Sequence, residues 1–230
     1  MAYLYVFDSD KCWYKDVCSK FRTGECNPSC IRYMEMDFLM NNSGIPKNRQ
    51  TPKPLKAGKE DLEVFRNLNE IKEDIVNFTK NGENLYIYSS GCGNGKTSWA
   101  IKMITKYFDK IWAGNGFRVR ALFVHVPTFL TKIKDVISKP DPDFITLKEN
   151  LLNVDLVVWD DIAATKLGDY DHTNLLTFID QRVLSGLANI YTGNLGESEI
   201  EKALGVRLAS RVWNNSYCVE IMGSDKRGDL

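Results

Sequence analysis

The chain carries no excess of charge of either sign. Thirty lysines and arginines balance thirty aspartates and glutamates, so any contact with a polyanion must come from a local basic patch rather than from the field of the whole protein. No apolar run approaches ~20 residues, the length a membrane-spanning helix needs, and no membrane partner is expected. The start, Met1-Ala-Tyr-Leu-Tyr-Val-Phe7 with Asp8 and Asp10 behind it, lacks a basic n-region. No secretory signal is expected, and the reading is a cytoplasmic protein. Histidine is scarce: His125 and His172 lie far from the cysteines and read as core or surface residues rather than ligands. There is no internal repeat. The 230 residues, 43% hydrophobic, suffice for one well-buried domain with a small appendage.

What is present is concentrated in one run, Leu85-Tyr-Ile-Tyr-Ser-Ser-Gly-Cys-Gly-Asn-Gly-Lys-Thr97. An apolar strand enters a glycine-rich turn and leaves into an amphipathic helix. Such a turn lets backbone N–H groups close on phosphate oxygens, and the helix N-terminus adds about half a positive charge. Gly91, Cys92, Gly93, Asn94, Gly95, Lys96, Thr97 and Ser98 are the candidate nucleotide-binding residues. Lys96 is placed to reach the β- and γ-phosphates of ATP, and Thr97 to ligate Mg²⁺. The common pattern opens with glycine; Ser90 holds that place here and is read as a tolerated variant.

Some sixty residues on, Leu156-Val-Val-Trp-Asp160-Asp161 reads as a buried strand ending in two acids. Asp160 is the candidate Mg²⁺ ligand and Asp161 the group that orients or deprotonates water. Many such ATPases use Glu at the second position, so Asp161 has the shorter reach. The plainer alternative is a polar turn closing a strand. Asn194 ends the strand Ile190-Tyr-Thr-Gly-Asn194, either as a γ-phosphate sensor or as a turn residue. Arg207 and Arg211 are one helical turn apart. One of them can serve as a finger to a neighbour's γ-phosphate; the alternative is a solvated face or a salt bridge.

Four cysteines crowd the N-terminus as Cys12-x5-Cys18-x7-Cys26-x3-Cys30; Cys92 and Cys218 stand alone. In a reducing compartment such a group favours metal over disulfide. The first four are the candidate ligands of a structural Zn²⁺ site, with redox or unrelated thiols as the alternative. There is no C-x-x-C pair. Residues 1–42 are expected to form this module. Residues 43–59, with Pro46, Pro52 and Pro54 among polar and basic residues, are expected to be a linker. From 60 to 230 strands alternate with helices, which predicts an α/β domain with a central parallel sheet flanked by helices. Helical spacing is expected from Leu62 to Phe78, then strand 85–89, a helix to about Trp112, strand 119–126 and a helix to about Ser138. Helix 144–152, strand 156–159, helix 174–184, strand 188–192, helices 197–204 and 206–213 and strand 217–221 complete the reading.

Together the phosphate loop, the Asp-Asp strand, Thr192-Gly-Asn-Leu195 and Leu204-Gly-Val-Arg-Leu-Ala-Ser-Arg211 resemble the AAA+ ATPases of the DnaC/DnaI helicase-loader type, over residues 60–225. The resemblance implies an AAA+ P-loop core with Walker A at Lys96 and Thr97, Walker B at Asp160 and Asp161, and sensor 1 at Asn194. It makes Arg211 the leading finger and Arg207 the alternative. It implies an ATPase that assembles with ATP, engages a hexameric replicative helicase and loads it onto single-stranded DNA, with Lys132, Lys134 and Phe129 as possible DNA contacts. Phe129 reads better as core. DnaI-type loaders carry an N-terminal zinc module that binds helicase; the cysteine pattern differs here, so that role is an analogy. Two alternatives remain: an IstB-like transposition ATPase, and a binding module switched by nucleotide with little hydrolysis.

Overall fold

A computed structural model describes residues 6–51, 54–164 and 167–223. Met1–Tyr5 and Pro52, on which expectations fell, lie outside them. Five strands, β1 (Asn84–Tyr88), β2 (Ala121–His125), β3 (Leu156–Asp160), β4 (Ala188–Gly193) and β5 (Tyr217–Glu220), form one parallel sheet in the order β2-β3-β4-β1-β5. The short apolar runs become its centre: every residue of β3 and β4 is buried, as a sheet covered on both faces requires.

The α-helices among the described residues are α1 (Ser19–Arg22), α2 (Ile31–Asn41), α3 (Leu62–Glu73), α4 (Ile75–Lys80), α5 (Lys96–Ile111), α6 (Val126–Ser138), α7 (Pro142–Asn153), α8 (Asp169–Leu184) and α9 (Glu197–Ala209). One face of the sheet packs on α2 to α5, through Met36, Leu39, Leu68, Ile75, Met103, Ile104 and Phe108. The other packs on α6 to α9, through Phe129, Leu151, Leu175, Ile179 and Leu208. Phe129 is core, as expected, against Phe144, Trp159 and Phe178. Helix α8 begins five residues before its apolar periodicity does. Its first turn is acidic, Asp169 and Asp171, which suits a helix N-terminus electrostatically and adds no apolar side chain to the core. Helix α9 breaks at Gly205 (φ 71°), where two helices were expected.

A buried cation ties the second face together. The fully buried Arg182 donates Nε to Asn189 Oδ1 at 2.8 Å, Nη1 to the carbonyls of Leu151 and Val154 at 2.7 and 2.9 Å, and Nη2 to that of Ala188 at 2.7 Å. Asn189 Oδ1 also accepts from Trp159 Nε1 at 3.1 Å. Helices α7 and α8 and strands β3 and β4 are thereby fixed at the N-terminal end of the sheet. Burial lowers the Arg182 pKa to about 10, still well above neutral.

Helix α2 belongs to the same core as α5. Its buried Glu35 accepts from the backbone N–H groups of Gly116 and Phe117 at 3.2 and 3.3 Å. Just beyond it, the Ser43 carbonyl accepts from Phe123 N–H at 2.6 Å, covering the outer edge of β2.

Candidate functional site

Parallel strands all point their C-terminal ends one way, and in open α/β sheets ligands collect there. The turn after β1 is the phosphate loop. Gly95 caps α5 with φ 105°, a backbone region that side chains with a Cβ rarely enter. The Lys96 ammonium folds back into this loop and donates to the Gly91 carbonyl at 2.8 Å and to Asn94 Oδ1 at 3.1 Å. Asn94 is buried and donates in turn to Ser89 Oγ and to the Ile221 carbonyl. The loop is thus anchored to both β1 and the segment after β5. Cys92 is exposed at its tip, Gly91 is exposed, and Thr97 and Ser98 are half-buried on the first turn of α5.

Two strands away, β3 delivers the acids. Asp160 is 3% exposed. Burial raises its pKa, and the Asp161 charge adds to that; side-chain hydrogen bonds from Thr192 and Thr97 and the proximity of His125 act against it. Thr97 lies near enough to Asp160 to favour its charged form, so the two motifs share one end of the sheet. The fully buried Thr192 braces the acids: its hydroxyl donates to Asp160 Oδ1 at 2.7 Å and accepts from Asp161 N–H at 3.0 Å. Its carbonyl accepts from Ile162 N–H at 2.9 Å. Asp161 sits in the left-handed region at φ 57°, a conformation that Asp tolerates better than most residues. The bracket turns the chain so that the second acid emerges beside the first.

His125 completes the cluster. It ends β2 in register with Asp160. Its Nε2 lies 3.7 Å from Asp161 Oδ2, and its Nδ1 is 2.8 Å from Thr128 Oγ1. Ligand atoms of His125, Asp160 and Asp161 lie within 4.8 Å of one another, the group of that kind found among the described residues. His125 is exposed, as a surface residue was expected to be, and the β2–β3 register also brings it beside the acids. Thr192 was also missed as a site residue, although it directly precedes Gly193-Asn194. Neither had a sequence signal beyond standing at the end of an apolar strand.

Asn194 follows β4 and is half-buried. Gly193 before it admits no side chain, because a Cβ there would lie 2.5 Å from the Tyr86 hydroxyl. That hydroxyl donates to the Leu195 carbonyl at 2.8 Å and sets the course of the strand end. Beside Gly95 an open cavity of about 530 Å³ is lined by Leu55, Ala57, Leu62, Phe65 and Arg66; Leu55 lies against Gly95 itself.

The arginines part company. Arg207 is exposed, with no side-chain hydrogen bond or ion pair among the described residues. Arg211 lies on a wide π turn, Ser210–Asn214, and pairs with Asp180 at 2.5 Å. Lys134 pairs with Asp171 at 2.8 Å, while Lys132 is exposed.

Away from this site, Cys12, Cys18, Cys26 and Cys30 line one cavity of about 270 Å³ together with Phe7, Lys20 and Tyr33. Desolvation, and then the nearby Cys18, Cys12 and Cys30, push the Cys26 thiol pKa up. No disulfide joins them, and no three of their sulfurs lie within 4.8 Å of one another. A donor set of four thiols around one hollow suits Zn²⁺ chemically, with some further closure needed to reach it.

No protein-family model matches the chain, and no curated protein matches it. Solved structures do. The DnaC helicase loader aligns over 75% of this chain and 95% of its own, with TM-score 0.60 and 16% identity. DnaI aligns over 80% of this chain and 93% of its own, with TM-score 0.58 and 16% identity. The replication initiator DnaA bound to AMPPCP and single-stranded DNA aligns over 72% of this chain and 47% of its own, with TM-score 0.55 and 17% identity. The chain shares its fold with these helicase-loader and DnaA structures. Among the described residues no helix is long and apolar enough to cross a membrane.

Proposed function

We propose that this chain is an ATPase that loads a hexameric replicative DNA helicase onto single-stranded DNA during replication initiation. The observation that carries the reading is the proximity of Thr97 to the braced Asp160 at one end of an AAA+ sheet, in a chain that matches nearly all of the solved DnaC and DnaI chains. In this reading the Lys96 ammonium leaves its loop acceptors for the β- and γ-phosphates of ATP. The cavity beside Gly95 and Phe65 takes the base. Thr97 and Asp160 would hold a magnesium ion, which supplies charge neutralisation to the phosphates. Asp161 orients the attacking water, Asn194 contacts the γ-phosphate, and Arg211 acts on the site of a neighbouring subunit. Lys132 tracks single-stranded DNA through its phosphates; Lys134 does so after release from Asp171.

The N-terminal thiols Cys12, Cys18, Cys26 and Cys30 hold a structural zinc that folds the helicase-contacting module. Support for this is their common cavity.

The test is co-purification with a replicative helicase, followed by ATP-dependent loading of that helicase onto single-stranded DNA. Loading is expected with the native chain and not with Lys96→Ala. Absence of helicase binding in every nucleotide state would sink the loader reading. A second reading, a nucleotide-driven switch with little turnover, draws on Asp161, one methylene shorter than Glu and held at φ 57°. An ATPase rate equally low in the native chain, Asp161→Ala and Lys96→Ala would favour it.

A further inference from the structure

Asp180 has no role in the site described so far. It lies near the end of α8, four residues before the helix closes at Leu184, on an element that supplies nothing to the phosphate loop or to the acids. Its carboxylate meets Arg211 through a single contact: Arg211 Nε donates to Asp180 Oδ1 at 2.5 Å, with the two side chains 33% and 27% exposed. A guanidinium has five N–H donors in a rigid fork. Spending Nε leaves both terminal nitrogens and their four N–H groups, and that free edge matches a pair of phosphate oxygens.

The contrast with Arg207 sharpens the point. Arg207 is exposed and has no acceptor for its side chain among the described residues, so it must lose rotamer freedom on being ordered. Arg211 is already ordered. The π turn that carries it follows the Gly205 break in α9 and sets its side chain against α8.

We propose that Asp180 is a positioning residue: it holds Arg211 by Nε so that the Nη edge is presented to the nucleotide of a second copy of this chain. The proposal rests on the reading above, in which ATP is hydrolysed between subunits, and it adds the group that aims the arginine. Asp180 touches no substrate. Its effect falls on turnover and spares nucleotide affinity.

The experiment uses full-length chains mixed in pairs. Lys96→Ala subunits have a defective phosphate loop but carry Arg211; Arg211→Ala subunits have the loop and lack the arginine. Each alone is expected to be nearly inactive, and the mixture to regain ATPase activity. Asp180→Ala added to the Lys96→Ala subunit is expected to cut that regained kcat by about 10- to 100-fold, the range for outer-shell partners, with KM within twofold. Added to the Arg211→Ala subunit it leaves the regained activity in place, since there is no arginine to aim. Asp180→Asn, which keeps an acceptor oxygen, restores part of the loss.

An equal loss from Asp180→Ala in either subunit would mark a merely structural role and overturn the proposal. A rise in kcat would also overturn it, because Asp180 would then be a restraint on Arg211. Native protein that hydrolyses no ATP at any concentration removes the underlying functional reading and this proposal together. ATPase activity that is insensitive to Arg211→Ala removes this proposal alone.

Discussion

The two regions proposed to carry chemistry are built in opposite ways. At the C-terminal edge of the sheet, Lys96, Asp160 and Asp161 are placed by buried backbone: two parallel strands, a fully buried Thr192 and a capped helix fix them. Among residues 6–30, Tyr14 is the single buried side chain. There the four cysteines face one hollow without meeting. A packed core positions side chains through thousands of small contacts. A segment with almost no core needs strong individual bonds, which is the kind of stability a metal supplies.

Metal removal should break this contrast most visibly. With zinc stripped by a chelator, amide exchange across residues 8–30 is expected to lose protection while the sheet keeps its own. The scale is set by small zinc domains, in which binding supplies about 10–16 kcal/mol. Unchanged exchange, or under half an equivalent of zinc in freshly purified protein, would count against the site. Next in size is Arg182→Leu. It strips donors from the carbonyls of Leu151, Val154 and Ala188, and buried acceptors left unpaired cost about 1–3 kcal/mol each. A loss of about 4 kcal/mol is expected, lowering Tm by roughly 8–16 °C for a chain of this size. Calorimetry showing a shift of only a degree or two would remove Arg182 as the tie between layers.

A smaller effect should sharpen the reading of the sheet edge. His125→Ala is expected to slow ATP turnover by about 10-fold without changing thermal stability, since the ring is 44% exposed. A rate equal to that of the native chain would return His125 to the role of a plain surface residue.

Asp160→Asn should give a small change in stability, of the opposite sign to that of Arg182→Leu. Burial raises the Asp160 pKa, so the folded chain favours the protonated acid and bears a cost when it is charged. That cost is present at neutral pH and fades as pH falls through the raised pKa. The variant is therefore expected to be more stable than the native chain by about 1 kcal/mol at pH 7, to lose that advantage in acid, and to lose ATPase activity. Thermal unfolding at several pH values checks the sign; a less stable variant at pH 7 would show that Thr192 and Thr97 outweigh the burial.

Much of this was legible along the chain. The strands expected at 85–89, 119–126, 156–159 and 188–192 appeared at 84–88, 121–125, 156–160 and 188–193, and the break at Gly205 fell between the two expected helices. The phosphate loop was legible because all its residues are consecutive, and a local motif needs no knowledge of what packs beside it. Helix α8 began earlier than its apolar period indicated because its first turn is acidic and contributes no apolar residue to the core. His125 and Thr192 were illegible as site residues for a different reason. Each stands some thirty residues from its partner acid, and register alone makes them neighbours. Arg207 and Arg211 looked equivalent by spacing, and Asp180 on another helix told them apart.

By itself the sequence determined the class of fold and the position of the phosphate loop, because hydrophobic period and glycine spacing are local properties. Tertiary structure alone decided which side chains share a site. Thr97 reached Asp160, His125 reached Asp161, and Arg211 was taken up by Asp180, since contacts between distant residues depend on the strand register and helix packing that the whole core settles together.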